Sequence, residues 1–352
     1  MRRVGLAPEA AGRLLGALFS SLVSERSGAA RLGRLPVRSL LVLLLVLPAC
    51  APVAAPITAS APAPIAASIV APEASPRGPA ASTRTHDTEQ DTITIAAFNI
   101  QVFGRSKREK TEVMEVLTSF AGEVDVLLVQ EIRDSSELTA GFFLEAINNS
   151  ADREYAMYEG PRLGRTSSKE QYAVYYATDR ARLIDAYTLA DPDDAFEREP
   201  VVATFRSGNF DFSVVGCHIK PDDAERELRA LSAAVDEIVA ANPGERDVII
   251  LGDLNADGSY LDESLLTEIF PIDSYHVAIS NDVDTMTTSD NTYDRIILRR
   301  ETATHEYIAA SAEVFEFDRA YEIEDDRLVR SVSDHYPVLA RFRTSASDDD
   351  GS

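Results

Sequence analysis

From residue 91 onward the sequence predicts an α/β protein in which two mixed β-sheets pack together with helices outside. Short apolar runs with strand character alternate with helical stretches. Some successive strands are close enough to form hairpins, whereas others are separated by a helix, and this mixture disfavours a simple doubly wound parallel sheet. Hydrophobic residues make up 45% of the 352 residues, enough to bury a sizeable core.

The individual elements follow from the spacing of apolar residues. Residues 92–99 alternate at period two and predict a strand, whereas residues 110–121 have apolar side chains at helical spacing. The run VDVLLVQ at 124–130 predicts a buried strand, and residues 136–150 predict a helix. Further strands are expected at 172–176 paired with 183–189, at 201–205 paired with 210–218, and at 248–251, 293–298 and 336–342, with helices at 223–241 and 262–269.

The first 50 residues have the pattern of an export signal. Three arginines at 31, 34 and 38 precede the apolar run SLLVLLLVLPAC, which is too short to span a bilayer comfortably. Its last four residues resemble a bacterial lipoprotein box with Cys50 as the lipidated residue, although Pro48 departs from that pattern. We expect an exported protein, either a membrane-anchored lipoprotein or secreted after cleavage of an ordinary signal; an uncleaved anchor and a start downstream of Met1 stay open.

The remaining chain divides by composition. Residues 51–90 are rich in Ala, Pro, Ser and Thr and predict a disordered tether, because such a stretch buries too little apolar surface to offset its ordering entropy. Residues 345–352 predict an acidic disordered tail, which leaves residues 91–344 as one catalytic domain. We expect no disulfide between Cys50 and Cys217, because Cys50 lies in the export segment. The chain is expected to act as a monomer.

The charge balance is strongly acidic. The sequence has 58 Asp and Glu residues against 34 Lys and Arg residues, for a formal net charge of −24. Binding to nucleic acid requires positive surface, so the total charge weighs against that class of partner. A local group of basic residues can still line a groove, and the acidity itself is interpreted as a solubility device suited to a saline habitat.

Polar side chains follow several of the predicted strands. The apolar run 248–251 stops at Gly252 and is followed by Asp253 and Asn255, which lie on one side of an extended chain. Strand ends are the usual location of chemistry in α/β proteins. The same pattern recurs elsewhere, at Asn99, Glu131, His218, Asp334 and His335, with Asp294 just inside a short strand.

The order of these motifs resembles the endonuclease/exonuclease/phosphatase superfamily, and within it the deoxyribonuclease I group. The broader resemblance rests on FNIQ (98–101), QEIRD (130–134), GCHIKP (216–221), GDLNADGSY (252–260), YDRI (293–296) and SDHYPV (333–338). The narrower one adds FNIQVFGRSK, RLGRTSSKEQYAVYY (162–176) and FEREPVV (196–202). The resemblance implies a four-layer α/β sandwich and divalent-metal-dependent hydrolysis of phosphodiesters.

The residues independently suit that chemistry. Hydrolysis of a phosphodiester requires that the charge of the phosphate is neutralised, that a water is activated to attack it, and that the leaving oxygen is protonated. Glu131 supplies a carboxylate for Mg²⁺ or Mn²⁺ and Asn99 a neutral oxygen beside it. Asp334 is expected to bind a second metal or to support the site, and Ca²⁺ is considered as a structural ion.

Two histidines can divide the proton transfers, because histidine titrates near neutral pH. By the resemblance, His335 is oriented by Asp294 and acts as general base on water. His218 is oriented by Glu170 and acts as general acid toward the leaving oxygen. The resemblance also implies that Asp253 and Asn255 position water, metal and the scissile phosphate.

The resemblance further implies a set of DNA contacts. Ser168 stands where the family has a tyrosine, and Gly258 and Asn291 stand where it has a bonded cysteine pair. Five residues match positions that contact the DNA backbone or minor groove, namely Arg133, Arg165, Lys169, Arg198 and Tyr260.

The sequence therefore predicts an exported, metal-dependent endonuclease of low sequence specificity that cleaves DNA. Two alternatives stay open. One is a phosphodiesterase or phosphatase acting on lipid headgroups or inositol phosphates, and the other is a binding module that keeps the fold without catalysis.

Overall fold

A computed structural model describes residues 91–242 and 244–347. The expected export signal, the tether, Cys50 and most of the acidic tail lie outside these residues. Within them no helix has both the length and the apolar character needed to cross a membrane.

The described residues contain strands β1–β12 and helices α1–α8, numbered in chain order. The strands are β1 Thr92–Phe103, β2 Val126–Ile132, β3 Tyr155–Glu159, β4 Gln171–Ala177, β5 Arg182–Thr188, β6 Val201–Ser207, β7 Phe210–Gly216, β8 Val248–Asp253, β9 Tyr275–Val277, β10 Asp294–Arg299, β11 Glu313–Val314 and β12 Val338–Arg343. The helices are α1 Arg105–Arg108, α2 Thr111–Glu123, α3 Thr139–Ser150, α4 Ala224–Ala241, α5 Ser264–Ile269, α6 Arg300–His305, α7 Phe317–Ala320 and α8 Asp326–Val332.

The strands form two six-stranded sheets, in the order β11-β12-β1-β2-β4-β3 and β5-β6-β7-β8-β10-β9. Each sheet contains one parallel pair, β1 with β2 and β7 with β8, and the other neighbours run antiparallel. A helix connects the strands of each parallel pair, α2 in the first sheet and α4 in the second. The prediction of two mixed sheets is thereby confirmed.

The core lies in three apolar layers, which explains why β2 is apolar on both faces. Leu127 and Val129 pack toward the helices of the first sheet, whereas Val126 and Leu128 pack between the sheets. A strand covered on both sides has no reason to alternate with polar residues. On the outer face of the second sheet, α4 contributes an apolar stripe made by Leu228, Leu231 and Val235. The arrangement of helices, sheet, sheet and helices is the predicted α/β sandwich.

One predicted pairing is wrong. Residues 172–176 and 183–189 were expected to pair, but β4 and β5 lie in different sheets. The unpredicted strand β3 takes the edge beside β4, and the turn at 178–181 carries the chain to the second sheet. A short turn between two apolar strands is compatible with a hairpin or with a change of sheet. Ala181 is buried between the sheets, which favours the change of sheet. The pairing of β6 with β7 is confirmed.

Candidate active site

Both predicted catalytic histidines and the predicted metal ligand Asn99 approach one carboxylate oxygen. Asp253 ends β8 and is 2% exposed. Its Oδ2 accepts a hydrogen bond of 2.9 Å from Asn99 Nδ2, and it lies 3.4 Å from His218 Nε2 and 3.6 Å from His335 Nε2. Residues from widely separated parts of the chain therefore meet at a single buried point.

His218 and Glu170 form the first histidine–carboxylate pair. Glu170 directly precedes β4 of the first sheet, and His218 follows β7 of the second. His218 Nδ1 lies 2.9 Å from Glu170 Oε2, and the backbone N–H of His218 donates to the hydroxyl of Tyr172 at 2.9 Å. Burial alone would raise the pKa of Glu170, but the neighbouring His218 and Arg198 outweigh it, so that pKa is lowered.

His335 and Asp294 form the second pair, again across the two sheets. Asp294 begins β10 of the second sheet, and His335 precedes β12 of the first. The His335 Nδ1 to Asp294 Oδ2 distance is 2.7 Å. Although burial disfavours the charged ring, the carboxylates of Asp294, Asp253 and Asp334 raise the pKa of His335 to about 10.

The proposed metal ligands lie beside the two pairs. Glu131 Oε2 accepts a hydrogen bond of 2.8 Å from Val102 N, and Asp334 Oδ2 accepts one of 2.7 Å from Gln101 Nε2. Asn99 presents its Nδ2 to Glu131 and Asp253, at 3.4 and 2.9 Å, while its Oδ1 accepts from Gln101 N. The Asn99 oxygen that was predicted as a neutral metal ligand therefore accepts a backbone hydrogen bond here.

Two buried oxygens of the site accept no hydrogen bond from any described residue, Oδ1 of Asp334 and Oδ1 of Asp294. Buried carboxylate oxygens without donors are costly unless a cation or water reaches them. Atoms of Asp253, Asp294 and His335 also lie within 4.8 Å of one another. Asp294 and His335 already hydrogen-bond each other. Glu131 and Asp334, the carboxylates predicted as metal ligands, lie outside this group. These hard oxygen donors suit Mg²⁺ or Mn²⁺.

The backbone around the site adopts conformations that are costly for most residues. Residues with positive φ include Gln101 (24°), Val102 (54°), Glu131 (59°) and Asn255 (46°). The register between β1 and β2 shifts in this region, and the resulting bulge turns the N–H groups of Gln101 and Val102 toward Asn99 and Glu131. Strained backbone of this kind clusters at active sites, where side chains are held in defined orientations.

Gly252 allows the second sheet to approach the first closely at the site. Its φ is 131°, and a Cβ atom there would lie 2.4 Å from Cys217 O and 2.5 Å from Gln130 Nε2. Three residues further on, Asn255 donates from Nδ2 to Ile219 O at 2.8 Å and from N to Asp253 Oδ1 at 3.1 Å. Asn255 therefore holds the ends of β7 and β8 together below the catalytic residues.

Three residues that support the site were missed in the sequence. Gln130 is fully buried, accepts from Asp253 N at 3.0 Å and donates to Cys217 O at 2.6 Å. Lys107 Nζ donates to Ile100 O at 3.0 Å and to Val332 O at 2.8 Å. Gln101 holds Asp334. Gln101, Lys107 and Gln130 all lie inside the motifs that carry the family resemblance, and a glutamine ending the apolar run VLLVQ was the available signal for Gln130.

Four of the five predicted substrate contacts lie at the surface. Lys169 is exposed and Tyr260 is 38% exposed, with its ring 5.4 Å from that of Tyr293. Arg133 Nη1 lies 3.7 Å from Glu131, and Arg165 pairs with Asp194 and Glu197. Arg198 differs, because it is only 9% exposed and contacts the first histidine–carboxylate pair.

The loop expected to lack a disulfide is joined by hydrogen bonds instead. A Cβ at Gly258 would lie 2.8 Å from Asn291 Nδ2, so the two positions are adjacent. Asp257 Oδ2 accepts from Thr292 N at 2.7 Å and from Asn291 Nδ2 at 3.4 Å. A carboxylate thus holds the two segments together where the resemblance would place a covalent bond.

Comparison with known proteins agrees with this geometry. The model of the Endonuclease/Exonuclease/phosphatase family matches residues 96–335. Deoxyribonuclease-1 of Oryctolagus cuniculus is 33% identical over 257 residues, covering 70% of this chain and 91% of the relative. Deoxyribonuclease-1 of Homo sapiens is 33% identical over 257 residues and is covered to 90%. Deoxyribonuclease-1-like 1 of Cricetulus griseus is 32% identical over 252 residues, covering 69% and 82%.

Solved structures support the fold. A humanized D. rerio TDP2 superposes with a TM-score of 0.53 at 15% identity, covering 72% of this chain and 99% of that one. The catalytic domain of human Nocturnin gives a TM-score of 0.52 at 15% identity, covering 76% and 100%. The conclusion about ancestry rests on the family match and the curated relatives: this chain belongs to the endonuclease/exonuclease/phosphatase family.

Proposed function

We propose that this protein is a divalent-metal-dependent endonuclease that hydrolyses DNA with low sequence specificity. The observation that carries the proposal is the pair of histidines, each held by a carboxylate, whose Nε2 atoms lie 3.4 and 3.6 Å from the same oxygen of Asp253. Two proton-transfer groups at one point are what phosphodiester hydrolysis requires. Relatives named deoxyribonuclease, about one-third identical to this chain, support DNA as the substrate.

The two histidines transfer the protons of the reaction. Each ring is fixed through Nδ1 by its carboxylate, which leaves Nε2 free to exchange a proton with water or with the leaving oxygen. The family resemblance implies the role of base for His335 and of acid for His218. The carboxylates around His335 raise the pKa of its ring. The assignment of acid and base stays a prediction.

Glu131 and Asp334, with Asn99 beside them, would hold Mg²⁺ or Mn²⁺, as the resemblance implies. The ion would neutralise charge on the phosphate and lower the pKa of a bound water. Asn99 keeps its amide N–H directed at the carboxylates of Glu131 and Asp253 and so restrains both. The surface cations Arg133, Arg165 and Lys169 would contact the DNA backbone, and such contacts position a duplex without reading its sequence.

The proposed location is outside the cytoplasm. It rests on the N-terminal pattern of arginines, apolar run and LPAC, which lies outside the described residues. Whether Cys50 carries a lipid decides between a surface-tethered and a secreted enzyme, and mass spectrometry of the mature N-terminus distinguishes them.

The function is tested with the full chain on several phosphodiesters. Supercoiled plasmid, RNA, sphingomyelin and an inositol phosphate panel are incubated with Mg²⁺, Mn²⁺, Ca²⁺ or EDTA. We expect nicked circular plasmid to appear first, since an endonuclease cuts one strand internally, and we expect EDTA to abolish it. Turnover of the lipid or inositol substrates without nicking would show that the alternative substrate class is correct.

A further inference from the structure

We propose that Arg198 is a positioning residue for His218 and not a contact to DNA. This inference rests on the proposed function, and it replaces the role that the resemblance implies for this arginine. Its basis is the combination of burial, two hydrogen bonds to the His218–Glu170 pair, and a loop anchored on both sides of the arginine.

The guanidinium of Arg198 binds both members of the pair. Its Nε donates to the backbone oxygen of His218 at 3.0 Å, and its Nη1 lies 3.3 Å from Glu170 Oε1. The other oxygen of Glu170, Oε2, faces His218 Nδ1 at 2.9 Å. Glu170 is therefore fixed at both oxygens, and His218 is fixed at its ring and at its main chain. The donors of the guanidinium lie on different nitrogens in one fixed plane, a geometry that the single ammonium of a lysine does not reproduce.

The same burial separates Arg198 from bound DNA. The residue is 9% exposed, and its third nitrogen, Nη2, is buried without a hydrogen-bond partner among the described residues. A phosphate oxygen reaches this nitrogen only if the covering atoms move. Lys169, by contrast, is exposed and can contact a phosphate without rearrangement.

The loop that carries Arg198 is held on both sides. Phe196 is 4% exposed and packs into the core below α4, and its N–H donates to Asp191 Oδ2 at 2.8 Å. Glu197 N donates to the buried carboxylate of Glu227 on α4 at 2.9 Å. The adjoining Pro200 O accepts from Leu189 N at 2.8 Å. A side chain on such an anchored loop can fix its partners, because its own position is fixed.

Arg198 therefore sets the orientation of the His218 imidazole through Glu170 and through the His218 carbonyl. Loss of the guanidinium frees one oxygen of Glu170 and one backbone carbonyl, so the imidazole can rotate away from the reacting phosphate. Partners that orient a catalytic group through another side chain typically change activity by about 10- to 100-fold when they are removed.

The test compares Arg198→Gln, Arg198→Lys and the matched surface variant Lys169→Gln in the full chain. Steady-state nicking is measured with Mg²⁺ over a series of salt concentrations. We expect Arg198→Gln to lower kcat by about 10- to 100-fold, with KM changed less than about threefold and its salt dependence unchanged. Arg198→Lys should recover only part of kcat. Lys169→Gln should spare kcat and reduce the slope of log KM against log salt by about 0.9, as expected for one lost phosphate contact.

A double-mutant cycle with Glu170→Gln tests the route of the effect. If Arg198 acts through Glu170, then adding Arg198→Gln to the Glu170→Gln variant should lower kcat by a smaller factor than Arg198→Gln lowers it in the wild type. Thermal unfolding of each variant checks that the chain is folded. If Arg198→Gln does not fold, the kcat of Arg198→Lys decides, because the lysine keeps the charge but not the guanidinium geometry, and a wild-type kcat would overturn the positioning role.

The outcomes separate the two proposals. A raised KM with a reduced salt slope in Arg198→Gln, or full additivity in the cycle, would overturn the positioning role while leaving the endonuclease in place. A wild-type chain that does not nick DNA under any metal condition overturns the proposed function, and with it the inference.

Discussion

The two histidine–carboxylate pairs look alike but differ in what lies behind the carboxylate. Glu170 uses one oxygen for His218 and the other for Arg198, whereas Asp294 uses one oxygen for His335 and keeps the other buried without a donor among the described residues. The first carboxylate therefore has two side-chain partners, an imidazole and a guanidinium, and the second has an imidazole alone. Two rings of the same type consequently have different electrostatic surroundings, which is a physical basis for different roles in one reaction.

The buried side chains that hold the backbone beside the two pairs also differ. Gln130, a neutral and fully buried side chain, connects the two sheets beside His218. Lys107, a buried cation, connects the backbone before Gln101 with the backbone before Ser333, beside His335. Substitutions in the two histidine–carboxylate pairs, in Gln130 and in Lys107 test this difference between the pairs. The expected effects decrease from the histidine rings to Lys107.

Removing either ring should have the largest effect. We expect His218→Ala and His335→Ala each to lower kcat by about 10²- to 10⁴-fold, because each removes one proton-transfer group. Steady-state nicking of plasmid measures both effects. The pH dependence of kcat in each variant shows whether the acidic or the basic side of the pH–rate profile depends on the missing ring. Near-normal turnover in one variant would mean that the corresponding pair has a structural role only.

Gln130→Ala should destabilise the protein more than Gln101→Ala, the matching substitution at a half-exposed glutamine. The substitution leaves Asp253 N and Cys217 O buried without partners, at a cost of about 2–5 kcal/mol in the free energy of unfolding. Urea denaturation measures it. The matched control is Gln101→Ala, which removes a hydrogen bond at a half-exposed residue and should cost less than about 1.5 kcal/mol. Equal costs would show that Gln130 does not connect the sheets.

Asp294→Asn should separate the electrostatics of the two pairs. Because Asp294 helps to raise the pKa of His335 to about 10, its neutralisation should lower that pKa by about one to three pH units. The imidazole signals are followed by NMR titration in EDTA. The control variant Glu170→Gln should leave the titration of His335 unchanged, and a comparable change there would mean that the two pairs are coupled rather than distinct.

Lys107→Met should show the smallest effect, as a dependence of stability on pH. Burial lowers the pKa of Lys107 to about 8 from an ordinary 10.5. Between these values the unfolded chain binds the proton and the folded chain does not, so the free energy of unfolding of the wild type rises with pH. We expect the wild type to gain about 2 kcal/mol relative to Lys107→Met between pH 7 and pH 10. Urea unfolding in EDTA at both pH values measures the difference, and a constant difference would contradict the lowered pKa.

Much of the site could be predicted because polar side chains recur at the ends of successive apolar runs, where chance would seldom place so many. Asn99, Glu131, His218, Asp253 and His335 follow or flank such runs, and the sheets bring those ends together. The burial of Arg198 could not be predicted, because it depends on how residues 191–200 fold against α4. The sheet change between β4 and β5 was also hidden, since local sequence fixes a turn but not the sheet that the next strand joins. The short strands β9 and β11 are too brief to show a period.

Each histidine and its carboxylate come from opposite sheets, and this has a consequence for the folding chain. A partly folded molecule in which only one sheet has formed contains no complete pair, and a slip of one sheet against the other would separate both pairs together. Hydrolytic activity should therefore appear late in folding and disappear early in denaturation, before the helices and strands are lost. A nascent hydrolase built in this way stays inactive until its two halves have docked.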